Sequence, residues 1–399
     1  MRVAFYTHPA FFEPAVHLIR ELSRLVELHV LLEVTPWTWH VAGFDIARLD
    51  LPAGVVPADR VLADHLPLRT RESLAHAADI QLVVHRQRRS LNPATWIIAQ
   101  RALGFLRRLQ PDILHLDDAD ESLRLALGGP WRLTTPLVLS VHDAEPHAGE
   151  ADWHTRLARF LLFRRASRFV LYNKASQVTF ARRYRIPDWL TRTVSLGAYE
   201  LHEPVGADGG QDSGPIVLFF GRISPYKGLD VLYQAAPLIA QRVPGVRFLV
   251  AGRPVPGYRI PSPPPLPGGA TIDVQFEYIH NDRMRTLFHS ARVVACPYLE
   301  ATQSGVVLTS YGFGKPVIAS RTGGLPEYVR DGETGLLVRP GDAQELADAL
   351  VRVLQDSGLR HRFQQGISEL MRGPLAWSNT ASSLVDVYAE LARPRPTTG

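Results

Sequence analysis

Short apolar runs alternate with amphipathic stretches along the whole chain. Residues 3–7, 27–33, 80–84, 112–116 and 136–141 are apolar, rich in Val, Ile and Leu, and short enough to be strands buried on both faces. Between them the apolar positions recur at helical spacing, as at residues 14–24, and Asn92-Pro93 supplies an N-cap and first-turn proline for a helix to about residue 109. The same alternation resumes at 216–220, 271–275, 293–295 and 316–320. Amphipathic helices follow at 342–354, with Leu346, Ala349, Leu350 and Val353 on one face, and at 378–391. Strands alternating with helices predict α/β layers around parallel sheets. Residues 36–68 hold no period and read as irregular.

Length and composition divide this pattern in two. At 399 residues the chain exceeds one ordinary core, and the Gly-rich run 205–214 reads as a flexible linker. The expected boundaries are 1–205, 206–375 and a final helix and tail at 376–399. Hydrophobic content of 46% and charged content of 21% fit a globular protein. The single cysteine, Cys296, excludes an intramolecular disulfide framework, and it ends an apolar strand where an inert thiol is expected. No run of 18 apolar residues is present, and the first residues lead straight into a strand without signal-peptide architecture. A cytoplasmic location is the expectation.

The chemistry concentrates in 215–338. The run Ile216 to Phe220 ends in Gly221-Arg222, passes Ser224-Pro225 and presents Lys227-Gly228 at the head of a helix. A strand turning into a helix N-terminus leaves unpaired N–H groups and a positive dipole end, which suits a phosphate. Arg222 and Lys227 would add charge-assisted bonds to a diphosphate. A second such turn, Pro297-Tyr298-Leu299-Glu300-Ala301-Thr302-Gln303-Ser304-Gly305-Val306-Val307, follows the strand 293–295. Ser304, Gly305, Val306 and Val307 would offer N–H groups there, with Gly305 allowing close approach. Gly323-Gly324-Leu325-Pro326-Glu327 and Gly332-Glu333-Thr334-Gly335 complete the series.

In this order and spacing the segments closely resemble the donor-binding domain of glycosyltransferase family 4, the retaining GT-B enzymes. The likeness is dense over 216–338 and thinner over the first 200 residues. It implies two Rossmann-like domains facing a cleft, acceptor on the first and donor on the second, with the last helix crossing back to the first domain. It also implies a retaining transfer from a nucleotide-diphosphate sugar to an acceptor hydroxyl, of a glycan, a lipid-linked molecule or a small molecule. The nucleobase would meet the backbone near Tyr278, within 276–279. No Asp-x-Asp motif occurs within 215–338, and fixed cations with backbone amides can meet a diphosphate without a metal. No metal or other cofactor is therefore expected.

His142, at the end of the strand 136–141, is the catalytic candidate, since the family often has a histidine there near the reacting sugar; a structural histidine is the alternative. His8, after the first strand, and Glu145 are weaker candidates for acceptor contact. The loop of His8 lacks the family's usual glycine pair. His115, between Leu114 and Leu116, reads as a core histidine, and Asp117-Asp118 as a solvated loop.

The second turn departs from the pattern. Many relatives carry two glutamates eight positions apart, on the sugar and on the ribose. Counting back from Pro316 puts these sites at Ala301 and Thr309; counting from Gly305 moves the second to Ser310. Glu300 is out of register either way, Gln303 is a substitute contact for the sugar, and no ribose glutamate is present.

Charge adds one further feature. The net charge is +5, and 25 basic against 22 acidic residues precede Pro204, with 19 against 17 after it, so the excess is local. Residues 153–187 hold nine Arg or Lys and no Asp or Glu, with Phe160, Leu161, Leu162 and Phe163 interleaved. A core helix with a solvated basic face is one reading; docking to anionic membrane, at an inner membrane face, is the other. Nothing accompanies the charge that would indicate nucleic acid. Alternative functions are a GT-B-type nucleotide-sugar epimerase and a nucleotide-sugar-binding protein without turnover.

Overall fold

The computed structural model describes residues 1–8, 12–35, 51–58, 68–86, 92–118, 123–129, 133–144, 153–199 and 214–392. Its contacts divide the chain into two units, Met1–Leu196 with Trp377–Gly399, and Gly197–Ala376. The linker read at 205–214 lies, but for Gly214, outside the described residues.

Among the described residues the first unit has eight strands: β1 (Arg2–Thr7), β2 (Glu27–Val34), β3 (Gly54–Pro57), β4 (Asp79–Val84), β5 (Ile113–Leu116), β6 (Leu137–Val141), β7 (Arg168–Leu171) and β8 (Thr191–Thr193). They form one sheet in the order β3-β4-β2-β1-β5-β6-β7-β8. All neighbours are parallel except β3, which runs antiparallel to β4 at the edge. Phe5 of β1 lies opposite Val30 on one side and His115 on the other. Helices α1 (Phe12–Leu22), α2 (Leu68–Leu74), α3 (Pro93–Leu109), α4 (Leu123–Gly128), α5 (Trp153–Phe163) and α6 (Lys174–Tyr184) cover its two faces. Asn92 caps α3 by accepting the Ala94 N–H at 2.9 Å.

The period-2 geometry of a strand sorts side chains into two layers. Val3 and Phe5 join Ile19, Val30 and Val138 in one core; Ala4 and Tyr6 join Leu31, Leu103 and Leu114 in the other. Strands buried on both faces explain the continuous apolar runs of the sequence.

The second unit has a six-stranded sheet, β9 (Ile216–Phe220), β10 (Arg247–Ala251), β11 (Thr271–Gln275), β12 (Val293–Cys296), β13 (Val317–Ser320) and β14 (Gly335–Val338). Its order is β11-β10-β9-β12-β13-β14, all parallel. Helices α7 (Leu229–Arg242), α8 (Asn281–Ser290), α9 (Gly305–Gly312), α10 (Leu325–Tyr328), α11 (Ala343–Gln355) and α12 (Ser357–Arg372) accompany it. In both sheets the order reverses beside the first strand of the unit, between β1 and β5 and between β9 and β12. Loops leaving such strands at their carboxyl ends open a crevice for ligands.

The last helix, α13 (Trp377–Ala389), belongs to the first unit. Trp377, Ala381, Leu384 and Tyr388 lie on one helical face and join the core with Ile19 and Phe5. The Trp377 ring stacks on His17, and Thr380 Oγ1 donates to Ser195 O at 2.8 Å.

Candidate active site

The second unit gathers the charged and amide groups at its switch point. After β9, Gly221 (φ 100°) and Gly228 (φ 68°) take left-handed backbone conformations around the short 3-10 turn Pro225–Lys227. A Cβ on Gly228 would meet Pro297 O at 2.0 Å, so the loop after β9 packs directly on the loop after β12. The Leu299 N–H donates to Tyr226 O at 2.7 Å and ties the same two loops.

This junction carries Lys227 inward. Its Nζ donates to the Tyr298 hydroxyl at 2.8 Å, and that hydroxyl lies 3.2 Å from Ser304 Oγ. Lys227 is only 8% exposed. Burial pulls its pKa down to about 8; Cys296 opposes the fall and Arg222 adds to it. Cys296 is fully buried, and burial lifts its thiol pKa to about 11, which leaves it an unreactive thiol at neutral pH.

Ser304 precedes α9 but its hydroxyl does not cap the helix. The Val307 and Leu308 N–H groups donate to Ser304 O at 3.1 and 3.4 Å, so Val307's amide is engaged within the chain. Among the described residues, no backbone bond leaves the Gly305 or Val306 N–H. Gly305 is exposed, and a Cβ there would find its nearest neighbour, Tyr199 Oη, at 4.0 Å. The fold itself does not demand glycine at 305, although it does at 228. A lysine held through Tyr298 beside the hydroxyl of Ser304, with two open amides in the next turn, is an anion seat.

The other candidates of this unit fall around it. Arg222 and Glu300 are exposed, Gln303 is half-buried, and Tyr278 is 46% exposed with its ring edge-on to His280. Thr309 is buried and its hydroxyl donates to Gly305 O at 2.8 Å. Ser310, the alternative for the ribose, is fully buried and donates to Val306 O at 2.6 Å. Its side chain is spent inside the unit.

In the first unit the carboxyl ends of β1, β5 and β6 bring His8, Asp117 and His142 to one region. His8 is buried, and burial lowers its pKa to about 4, against the pull of Glu33 and Asp117. It is neutral at neutral pH. Asp117, read from the sequence as a solvated loop residue, is 4% exposed; it accepts the Thr7 hydroxyl at 2.9 Å and lies 3.7 Å from His142 Nε2. Its burial follows from the parallel pairing of β1 with β5, which sets Thr7 beside it. His142 is 9% exposed and its ring lies 4.7 Å from that of Tyr172. His115 is a core histidine, as its apolar neighbours suggested. Burial lowers its pKa to about 4, and its two nitrogens lie 2.6 Å from the Tyr388 hydroxyl and 2.9 Å from Ser140 Oγ. Tyr172 Oη donates to Ser140 Oγ at 2.9 Å. A buried polar chain thus runs from α13 to the strand ends.

A second buried group, on the opposite face, joins Glu33 to Arg124 Nη1 at 2.9 Å and to the Tyr6 hydroxyl. The sequence reading passed over this pair, as it did Tyr298 and Tyr172. Glu33 inside an otherwise apolar strand was the available signal, because a buried carboxylate requires a partner. Glu145 and the neighbouring His147 lie outside the described residues.

The basic stretch splits by burial. Arg159 is 5% exposed and donates to Asp143 O, and Arg165 donates to Leu133 O, both at 2.8 Å. Trp153, Arg156, Phe160 and Arg164 are exposed at helical spacing along α5, with the Arg164 guanidinium 4.1 Å from the Phe160 ring centre. Lys174, Arg182, Arg183 and Arg185 are exposed on and just after α6. No helix among the described residues is long and apolar enough to cross a membrane.

Comparison with known proteins fits this geometry. Residues 214–356 match the family described as glycosyl transferases group 1. The D-inositol 3-phosphate glycosyltransferase of Acidothermus cellulolyticus is 34% identical over 200 residues, 46% of this chain and 43% of that protein. The protein of the same name from Corynebacterium efficiens is 32% identical over 185 residues, 44% and 42% of the two chains. The chain thus spans less than half the length of the curated relatives it matches. Among solved structures, HepE of Anabaena in complex with UDP superposes with a TM-score of 0.64 at 17% identity, covering 98% of this chain and 100% of that one. Sucrose-phosphate synthase from Thermosynechococcus elongatus gives 0.64 at 16%, covering 98% and 99%. The matched family and the two relatives are glycosyltransferases, each matched over less than half of this chain. The fold is GT-B, with two α/β domains, and the matched glycosyl transferases group 1 segment lies in the second.

Proposed function

We propose that the protein transfers a sugar from a nucleotide-diphosphate sugar to an acceptor hydroxyl, with retention of anomeric configuration and without a metal. The observation that carries the reading is the anion seat of the second unit, where buried Lys227 reaches the start of α9 through Tyr298 and Ser304. A departing diphosphate needs positive charge fixed in place before the bond breaks. Lys227, Arg222 and the open amides of Gly305 and Val306 supply it. Retention rests on the family likeness. His142, on the first unit, acts near the reacting sugar. Tyr278, Glu300, Gln303 and Thr309 are the proposed contacts to base, sugar and ribose, and His8 a contact to the acceptor. HepE of Anabaena has also been solved with UDP-glucose, which makes UDP-sugars the first donors to test.

The purified protein should bind UDP and release it from a UDP-sugar when given an acceptor or water. Lys227→Ala should lower kcat/KM by about 10- to 150-fold, the worth of one charge-assisted bond. Activity abolished by EDTA and restored by Mg²⁺ would overturn the metal-free mechanism. Binding without any turnover would leave a nucleotide-sugar-binding protein.

The exposed aromatic and basic side chains of α5 and α6 support a second part of the reading, a peripheral contact with anionic membrane.

A further inference from the structure

The proposed function gives His142 a part in the transfer but says nothing of what holds it. In the first unit the ring is enclosed from two neighbouring strands. From β5, Asp117 Oδ1 lies 3.7 Å from His142 Nε2, an ion-pair distance too long for a direct hydrogen bond. From β7, the Tyr172 ring lies against the imidazole with centroids 4.7 Å apart and planes inclined by 33°.

Asp117 is itself fixed. Its other oxygen, Oδ2, accepts the Thr7 hydroxyl at 2.9 Å across the switch point of the sheet, and Tyr172 Oη lies 3.5 Å from Oδ1. Tyr172 in turn is held by its bond to Ser140, which sits against His115 and, beyond it, Tyr388. A carboxylate only 4% exposed and anchored in this way cannot swing to solvent.

We infer that Asp117 is a positioning residue for His142, its buried carboxylate fixing the Nε2 edge of the imidazole while Tyr172 covers the face of the ring. The inference rests on the proposed role of His142 in transfer. The pattern, an imidazole oriented by a third group that does not touch the reacting atoms, is the general arrangement by which proteins fix the tautomer and charge of a working histidine.

The electrostatics agree. Burial alone would lower the His142 pKa, but Asp117, with smaller contributions from Asp118 and Asp143, outweighs it and the net shift is upward. Among the described residues, the other titratable groups facing the ring are His8 after β1, His115 on β5 and Tyr172 just after β7. Both histidines have pKa values lowered to about 4, and that of Tyr172 is raised, so all three are neutral at neutral pH.

The experiment is a ring NMR titration of His142 in the free full-length protein, assigned by difference with His142→Gln. The wild-type midpoint should lie above the ordinary value of about 6.5. Asp117→Asn should lower it by about one unit or more, the usual effect of removing an opposite charge at this range. In turnover the same substitution should reduce kcat at least about tenfold while the donor KM stays within about twofold.

A wild-type midpoint at or below the ordinary value overturns the inference, even if Asp117→Asn fails to fold. So does a folded Asp117→Asn whose midpoint or kcat does not move. The titration needs no substrate, so a wild-type protein without transfer activity would count against the proposed function and leave the midpoint result to stand or fall alone.

Discussion

Lys227 and Tyr298 meet twice, through a 2.8 Å hydrogen bond from Nζ to the phenol oxygen and through a distance of 4.1 Å from Nζ to the ring centre. Both contacts soften the burial of an ammonium group, and neither neutralises it. A pKa near 8 in the folded chain, against an ordinary value of 10.5, says that the charge is held at a cost at neutral pH.

That cost predicts a trade between stability and function. Lys227→Met keeps the length and removes the charge, so the folded protein should gain about 1–3 kcal/mol at pH 7, of which each ~1 kcal/mol raises Tm by about 2–4 °C. Nucleoside diphosphate binding should fall by about 10- to 150-fold in the same variant. The sign with pH follows from linkage. Between about pH 8 and 10.5 the unfolded chain holds the lysine proton that the folded chain has lost, so this group makes wild-type stability rise with pH there. The Met variant lacks that rise. Calorimetric melts at pH 7 and pH 9 check both statements, and a Met variant less stable than wild type at pH 7 contradicts them.

Donor binding should carry the opposite dependence. The diphosphate needs the protonated lysine, which is present below about pH 8 and lost above it. The Kd of UDP should therefore be flat from pH 7 to 7.5 and weaken above pH 8, approaching about tenfold per unit. Lys227→Arg, whose side chain stays charged, should flatten the profile. A wild-type Kd constant up to pH 9.5 would place the diphosphate elsewhere.

Gly305 separates the needs of the ligand from the needs of the fold. A methyl group there has open space, with Tyr199 Oη no closer than 4.0 Å, and the position already begins a helix. Gly305→Ala should leave Tm unchanged or slightly raised, since alanine favours helix. The methyl would stand beside the open amides, and losing one charge-assisted bond costs about 1.5–3 kcal/mol of binding. Gly228→Ala should instead unfold the loop, because its Cβ meets Pro297 O at 2.0 Å in a left-handed conformation. Melting curves and UDP titrations of the two variants give the comparison.

The exposed residues of α5 and α6 predict adsorption to anionic vesicles at low salt, with about 1 kcal/mol available from each basic residue near the surface. Arg156, Arg164, Lys174 and Arg182 contribute, and Phe160 and Trp153 would insert. Binding should fall as ionic strength rises and should fail for neutral vesicles. Co-sedimentation of wild type and of Phe160→Ser with Arg164→Glu tests this; equal, negligible binding to both vesicle types rejects it.

Local signals made much of this legible in the sequence. The buried runs of β1, β5 and β6 and the Asn92 cap are written in consecutive residues, and the loops after β9 and β12 announce themselves by Gly-Arg, Lys-Gly and Ser-Gly. What stayed hidden depends on which strands become neighbours. Lys227 meets Tyr298 only because β12 pairs with β9, and Asp117 is buried only because β5 pairs with β1 and brings Thr7 to it. Partners 71 and 110 residues apart leave no local trace. The antiparallel β3 and the helix Ser357–Arg372 were missed for another reason. Four residues carry too little pattern, and the stripe Leu359, Phe363, Ile367, Leu370 follows the helix before it with only Asp356 between, so no loop signal separates the two.

The absent ribose glutamate gives the last prediction. A carboxylate accepting from ribose hydroxyls makes charge-assisted bonds, which a neutral hydroxyl cannot match. Thr309 stands at one of the two aligned positions, and its hydroxyl proton is already committed to Gly305 O, leaving only its lone pairs for a ribose. Ser310, at the other, is fully buried. Ribose should therefore be held weakly, and the diphosphate contacts of Lys227, Arg222 and the α9 amides should supply most of the donor affinity. Removing the 2′-hydroxyl of UDP should cost under about 1.5 kcal/mol, the worth of a neutral bond, whereas removing the β-phosphate should cost more than about 3 kcal/mol through two or more charge-assisted bonds. Calorimetry with UDP, 2′-deoxy-UDP and UMP makes the comparison directly. A deoxy loss as steep as the UMP loss would mean that another residue, Glu300 being the nearest carboxylate in sequence, has taken over the ribose, and Thr309→Ala would then leave UDP affinity untouched.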